Sequence, residues 1–138
     1  MKVQIAKMGE PIIGGYNHVV CSDNYINFMD ISDNECSEIL AQDVLDNFAI
    51  DNIHQCISSL VGKLRLGGKL VVGGTDIRLF SRMVSNNTLN EVEASNILSS
   101  ANSMTSATNV KPIIQSLGLQ VISVMVSGIH FEITATRG

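Results

Sequence analysis

The chain has no tryptophan, and only 4% of its residues are aromatic. That scarcity argues against a platform for stacking nucleobases. Basic runs are absent too: 9 Lys and Arg stand against 13 Asp and Glu, for a formal net charge of −4. A surface built to coat nucleic acid would need the opposite balance. The cysteines, Cys21, Cys36 and Cys56, are odd in number, widely spaced and form no CxxC pair. They read as reduced thiols in a cytosol-like compartment rather than as a disulfide framework. His18, His54 and His130 stand apart from one another and from the cysteines, so no metal-ligand cluster is expected. "MKVQIAKMGEP" lacks the continuous apolar core of a signal peptide. The longest apolar runs, such as "VISVMV", fall far short of the ~18 residues of a membrane span. These absences predict a soluble, cytoplasmic protein with no membrane partner and no nucleic-acid partner.

What remains suits one domain. At 138 residues and 45% hydrophobic, the chain is long enough for a single core over 1–138 and too short for two ordinary ones. "KVQIAK" (2–7) alternates and is β-branched, which predicts a strand, and "HVVC" (18–21), "INFM" (26–29) and "SEILAQ" (37–42) read as three more. A helix follows, with Asp51 as its cap. Ile53, Cys56, Ile57, Leu60, Val61 and Leu64 fall on one buried stripe, and Gly67–Gly68 is its stop signal. "KLVVGG" (69–74) reads as a buried strand, and Asp76 opens a second helix with Ile77, Phe80, Met83 and Val84 on one face. A weaker helical pattern covers 90–101. Asn109 can cap a last short helix, with Pro112 in its first turn and Gly118 at its end. Finally, "LQVISVMV" and "IHFEITAT" flank Ser127-Gly128, the signature of an antiparallel hairpin. Strands alternating with helices predict an α/β fold with a mostly parallel sheet and an antiparallel close.

In three stretches the chain resembles the class I S-adenosylmethionine-dependent methyltransferases. "AQDVLDNF" (41–48) is similar to that family's fourth-strand segment, and "KLRLGGKLVVGGTD" (63–76) to its helix, Gly-Gly turn and fifth strand. The closing helix, strand and hairpin resemble the family's last two strands. "MKVQIAKMG" and "GGYNHV" would supply the first strand with its cofactor loop and the lead into the second. The resemblance implies a three-layer Rossmann-like fold in a compact, degenerate form, its N-terminal helices trimmed. It implies S-adenosylmethionine as cofactor and a small-molecule or surface-presented methyl acceptor. Open α/β sheets bind ligands where the carboxyl ends of their strands converge. By resemblance the cofactor would meet Lys7, Met8 and Gly9 at the first strand, Asp23 after the second, Asp30 and Ile31 after the third, and Gln42 and Asp43 after the fourth. Asp43 and Asp46 are the candidates for a catalytic base.

Three departures fall on that site. The usual Gly-x-Gly reads Lys7-Met8-Gly9, the second strand does not end in an acid, and "DNF" replaces a more usual Glu-His pair. The link 8–16 is also shorter than the ~10–12 residues of a helical crossover, although an extended chain could make the return. The glycines 9, 14 and 15 read equally as plain turn residues, the acids as solvated loop acids, Tyr16 as core, and His18 as a structural histidine. Two functions therefore stand side by side: a methyltransferase, and a non-catalytic methyltransferase-like module kept for binding or assembly. A nicotinamide-binding domain ranks below both, since Gly-x-Gly-x-x-Gly is absent. Apolar surface left bare by the missing helices would favour a homodimer.

Overall fold

In the computed structural model, which describes residues 1–138, the first two alternating segments become β1 (Lys2–Ala6) and β2 (Asn17–Ser22). A two-residue β3 (Tyr25–Ile26) and then β4 (Cys36–Ala41) follow. Two 3-10 turns, Val44–Asn47 and Ile50–Asn52, lead into α1 (Ile53–Lys63) and β5 (Leu64–Thr75). Helices α2 (Ile77–Ser85), α3 (Glu91–Ser100) and α4 (Ala107–Ser116) precede the hairpin of β6 (Leu119–Ser127) and β7 (His130–Arg137). All seven strands form one sheet in the order β3-β2-β1-β4-β5-β7-β6. β2, β1, β4 and β5 are parallel, and β7 runs against both β5 and β6. The expected mixed α/β sheet with its antiparallel close is what forms.

Alternation along the strands separates the two faces. Val3, Ile39, Leu70, Val72 and Ile133 point into the main core together with α1 and α4. The predicted stripe of α1 is buried at Ile53, Cys56, Ile57, Leu60 and Val61. Burying an aliphatic side chain of this size contributes about 1.5–3 kcal/mol relative to leaving it in water. On the other face the link between β1 and β2 stays extended. Gln4, buried on β1, donates to the Pro11 carbonyl at 3.1 Å and accepts from the Ile13 N–H at 2.8 Å, which lays that link across the sheet. The trimmed N-terminal layer is thus a stretch of chain held by one glutamine.

Five local expectations shift. Of "INFM" only Ile26 lies in a strand. Asp23 and left-handed Asn24 (φ 57°) turn the chain back, so that Tyr25–Ile26 pairs antiparallel with β2. Helix α1 ends before its glycines, and Leu64 opens β5 instead of closing the helical stripe. The Arg137 guanidinium donates to the Val61 and Leu64 carbonyls at that junction. Gly67 (φ 76°) instead lies where the pairing of β5 with β4 loses its register. Asn52, not Asp51, is the cap residue of α1, and no side-chain bond accompanies it. Ser106 rather than Asn109 caps α4, its hydroxyl accepting from the Asn109 N–H at 3.1 Å, and Pro112 sits inside the helix. The hairpin turn falls at Gly128–Ile129, with Ser127 already paired to His130. None of the helices is long and apolar enough to cross a membrane.

Candidate functional site

The loops after β1, β2, β4 and β5 lie along the carboxyl edge of the parallel strands, where ligands of open α/β sheets bind. At the end of β1, the Lys7 carbonyl accepts from the Glu10 N–H at 3.2 Å across a tight turn, with Gly9 at φ 89°. The positive φ is why glycine stands there. Met8 at the tip is 85% exposed. No helix follows this turn, so it lacks the row of helix N-terminal amides that such loops usually aim at a ligand. A Cβ on Gly9 would meet nothing within 4 Å, so the backbone there is open to an incoming group. A crevice of about 180 Å³ runs beside the turn, bordered by Lys7, Met8, Gly9, Ile12 and His18.

Asp23 is exposed on the next turn. Asn24 beside it does the structural work, and nothing in the sequence reading marked it. Its N–H donates to the Asn47 carbonyl at 2.8 Å, while its Oδ1 accepts from the Ala49 N–H at 2.7 Å and from Asn52 at 3.1 Å. One asparagine thereby ties the end of β2 to the turns after β4. The available signal was its side chain's tolerance of left-handed backbone.

After β4, Asp46 is fixed to the end of β5. Its Oδ1 accepts from the Thr75 N–H and its Oδ2 from the Thr75 hydroxyl, each at 2.7 Å. Gly74 makes room, since a Cβ there would stand 2.8 Å from Asp46 Oδ1. Burial raises the Asp46 carboxyl from its ordinary value, against the pull of the Thr75 bonds, and neighbouring Asp43 adds to the push. Both oxygens of Asp46 serve Thr75, which gives it the part of a strut.

Asp43 is exposed, and its Oδ1 lies 3.5 Å from His130 Nδ1 at the start of β7. Donor atoms of Asp43, Asp46 and His130 all lie within 4.8 Å of one another. Sequence separation hid this cluster. It exists because Thr75 and His130 are partners in the β5–β7 ladder. Alongside it, Gln42 donates to Glu132 at 3.4 Å. Gln42, Asp43, His130 and Glu132 border a cavity of about 260 Å³ whose other wall is Met125, Val126 and Phe131. It offers carboxylates and an imidazole on one side and apolar surface on the other.

Of the residues singled out in the sequence, the carboxyl edge gathers Lys7, Met8, Gly9, Asp23, Gln42, Asp43 and Asp46. Asp30 and Ile31 do not join them. Because β3 turns back, they fall at the opposite edge of the sheet, where Asp30 lines a cavity with Met1 and Asn17 at the starts of β1 and β2. Ile31 is buried, and its carbonyl accepts from Lys63 at 3.0 Å, at the far end of α1. His18 is exposed on β2 rather than sequestered, and Tyr16 is half-buried beside Lys2 and Glu38. All three cysteines are buried and unpaired, with the Cys56 thiol pushed up to about 12 by burial.

No family model matches the chain, and no curated protein does. Solved structures do. An S-adenosylmethionine-dependent methyltransferase from Archaeoglobus fulgidus superposes with a TM-score of 0.61 at 9% identity, over 89% of this chain and 68% of that one. An O-methyltransferase family protein from Burkholderia thailandensis gives a TM-score of 0.63 at 12% identity, over 91% of this chain and 36% of that one. From the same organism, 1,6-didemethyltoxoflavin-N1-methyltransferase, solved with 1,6-didemethyltoxoflavin and S-adenosylhomocysteine, gives 0.55 at 10% identity. It is matched over 88% of this chain and 51% of its own. The chain therefore spans between about a third and two thirds of these proteins. It has the class I methyltransferase-like fold.

Proposed function

We propose that the chain is an S-adenosylmethionine-dependent methyltransferase that holds its cofactor along the carboxyl edge and its acceptor beside Asp43 and His130. The observation behind this reading is the convergence of Lys7–Gly9, Asp23 and Gln42–Asp43 on one edge of a sheet with the methyltransferase-like fold. The residues suit the cofactor in kind. Lys7 offers a cation to its carboxylate, the open backbone at Gly9 admits its methionine part, and Asp23 offers acceptors to ribose hydroxyls.

When bound, the sulfonium supplies an activated methyl group and its own leaving group. The chain is left to position the acceptor in line and, where the accepting atom carries a proton, to remove it. Asp43, exposed and close to His130, is the candidate acceptor of that proton, with His130 orienting it. Asp46 keeps the loop in place through Thr75. The acceptor is a small molecule or a group presented on a surface.

A second reading has specific support. Asp30 and Ile31 lie at the wrong edge, Met8 points into solvent, and no helix follows β1. These fit a module that retains the fold for binding or assembly without the cofactor. Calorimetric titration with S-adenosylmethionine and S-adenosylhomocysteine separates the two readings. Micromolar binding, weakened about tenfold (~1.4 kcal/mol) by Asp23→Ala at unchanged melting temperature, supports the enzyme. No heat at millimolar ligand leaves the non-catalytic module.

A further inference from the structure

The cavity beside Asp43 and His130 has acids that nothing of opposite charge answers. Asp43 has only the exposed imidazole of His130 beside it, and Glu132 only the neutral carboxamide of Gln42. No lysine or arginine pairs with either: Lys2 and Lys69 reach Glu38, and Lys63 reaches Asp33. Those two contacts use Asp43 Oδ1 and Glu132 Oε2, which leaves one oxygen of each carboxylate without a partner. The ladder explains what stands next to them. Met125 of β6 is paired with Glu132 and Ser127 with His130, and such partners share one face of the sheet. On its other side Glu132 has Gly73 of β5 as partner, so no side chain covers it from there. Acid and apolar surface therefore meet in one hollow, with Met125 and Val126 66% and 59% exposed along its wall.

We propose that this cavity binds a small amphipathic amine, its ammonium on Asp43 and Glu132 and its carbon body on Met125 and Val126. Resting on the methyltransferase reading above, that amine is the methyl acceptor. Charge selects the head group, since an anion is repelled here and a neutral guest leaves both carboxylates unanswered. An alkylammonium, with a pKa of about 10, arrives charged at neutral pH and makes the stronger, charge-assisted bonds. Volume selects the size: about 260 Å³ lies below the roughly 300–1,000 Å³ of pockets for drug-sized ligands. Methylation needs the nitrogen lone pair, so the ammonium first gives one proton to Asp43. The carbon–nitrogen bond then forms as the carbon–sulfur bond breaks, leaving an N-methyl ammonium and a neutral thioether.

Amide chemical-shift titration of the full chain with 2-phenylethylamine, without cofactor, tests this. Saturable shifts are expected at Asp43, Met125, Val126 and Glu132. Glu132→Gln and Asp43→Asn, at unchanged melting temperature, should each weaken binding about tenfold by removing a charged hydrogen bond. 2-Phenylethanol, the body without the charge, and methylamine, the charge without the body, should each bind at least about tenfold more weakly. The proposal is overturned by no shifts at millimolar amine, by equal binding of amine and alcohol, or by affinity untouched in both variants. Tighter binding of Nα-acetyl-lysine amide than of 2-phenylethylamine overturns the small free amine in favour of a protein side chain. S-adenosylhomocysteine is titrated separately. Amine binding without it supports the amine site and overturns the transferase reading alone, whereas the reverse result overturns the amine and leaves that reading standing.

Discussion

Asp46→Ala should cost about 3 kcal/mol of stability although no hydrophobic contact is removed. The aspartate accepts both the backbone N–H and the hydroxyl of Thr75, a residue that is 3% exposed. Hydrogen bonds to a charged group contribute about 1.5–3 kcal/mol, and a buried donor left without a partner costs about 1–3 kcal/mol. These overlap, because the hydroxyl can turn elsewhere while the N–H cannot. Unfolding entropy of roughly 2.1 cal/mol/K per residue over 138 residues converts 3 kcal/mol to about 10 °C in the melting midpoint. Asp46→Asn is the discriminating control. Its carboxamide can accept the N–H and donate to the hydroxyl, and it removes a carboxylate that burial already disfavours, so the loss should stay below about 1 kcal/mol. Thr75→Val should fall near 1 kcal/mol, and the double variant Asp46→Ala, Thr75→Val below the sum of the singles. Thermal unfolding by circular dichroism reads all four. Near-equal losses for Asp46→Ala and Asp46→Asn would refute the hydrogen-bond account.

Further outcomes follow from the same structure. Gly73→Ala should prevent soluble expression, because its Cβ would run into the backbone carbonyls of both Phe131 and Gln42, and neither strand can give way. Cys21, Cys36 and Cys56 should resist alkylation in the folded protein at pH 8 and react fully in denaturant, since burial raises all three thiols. Burial pushes Glu38 up, but bonds from Lys69 and Tyr16 outweigh it and hold the carboxyl below its usual 4.5. Its stabilisation is then complete above that value and lost as the pH falls through the lower folded one, so Glu38→Gln should flatten the acid limb of the pH–stability curve. Asn24→Ala should destabilise by about 1–2 kcal/mol in chemical denaturation, losing two accepted bonds and a left-handed turn residue.

Much of the fold could be read from periodicity, because burial imposes it. The α1 stripe, the alternation of Phe131, Ile133 and Ala135, and the closing hairpin each show in the residues that the core requires. Partner-dependent features did not show. Helix α1 stops at Lys63, where Arg137 of β7 donates to the Val61 and Leu64 carbonyls, and no local pattern encodes that contact. The reversal at Asp23–Asn24 hinges on one left-handed residue, yet it carries Asp30 and Ile31 to the opposite edge. The site was legible only loop by loop. Asp43 and Asp46 stood out as acids after a strand, whereas His130 reached them through ladder register, which depends on how β7 pairs with β5.

Amide chemical-shift mapping with S-adenosylhomocysteine tests the proposed site most directly. The account predicts saturable shifts at Lys7–Gly9, Asp23 and Gln42–Asp43, with Asp30 and Ile31 unmoved. Shifts centred on Asp30 and Ile31, or none at millimolar ligand, would contradict it.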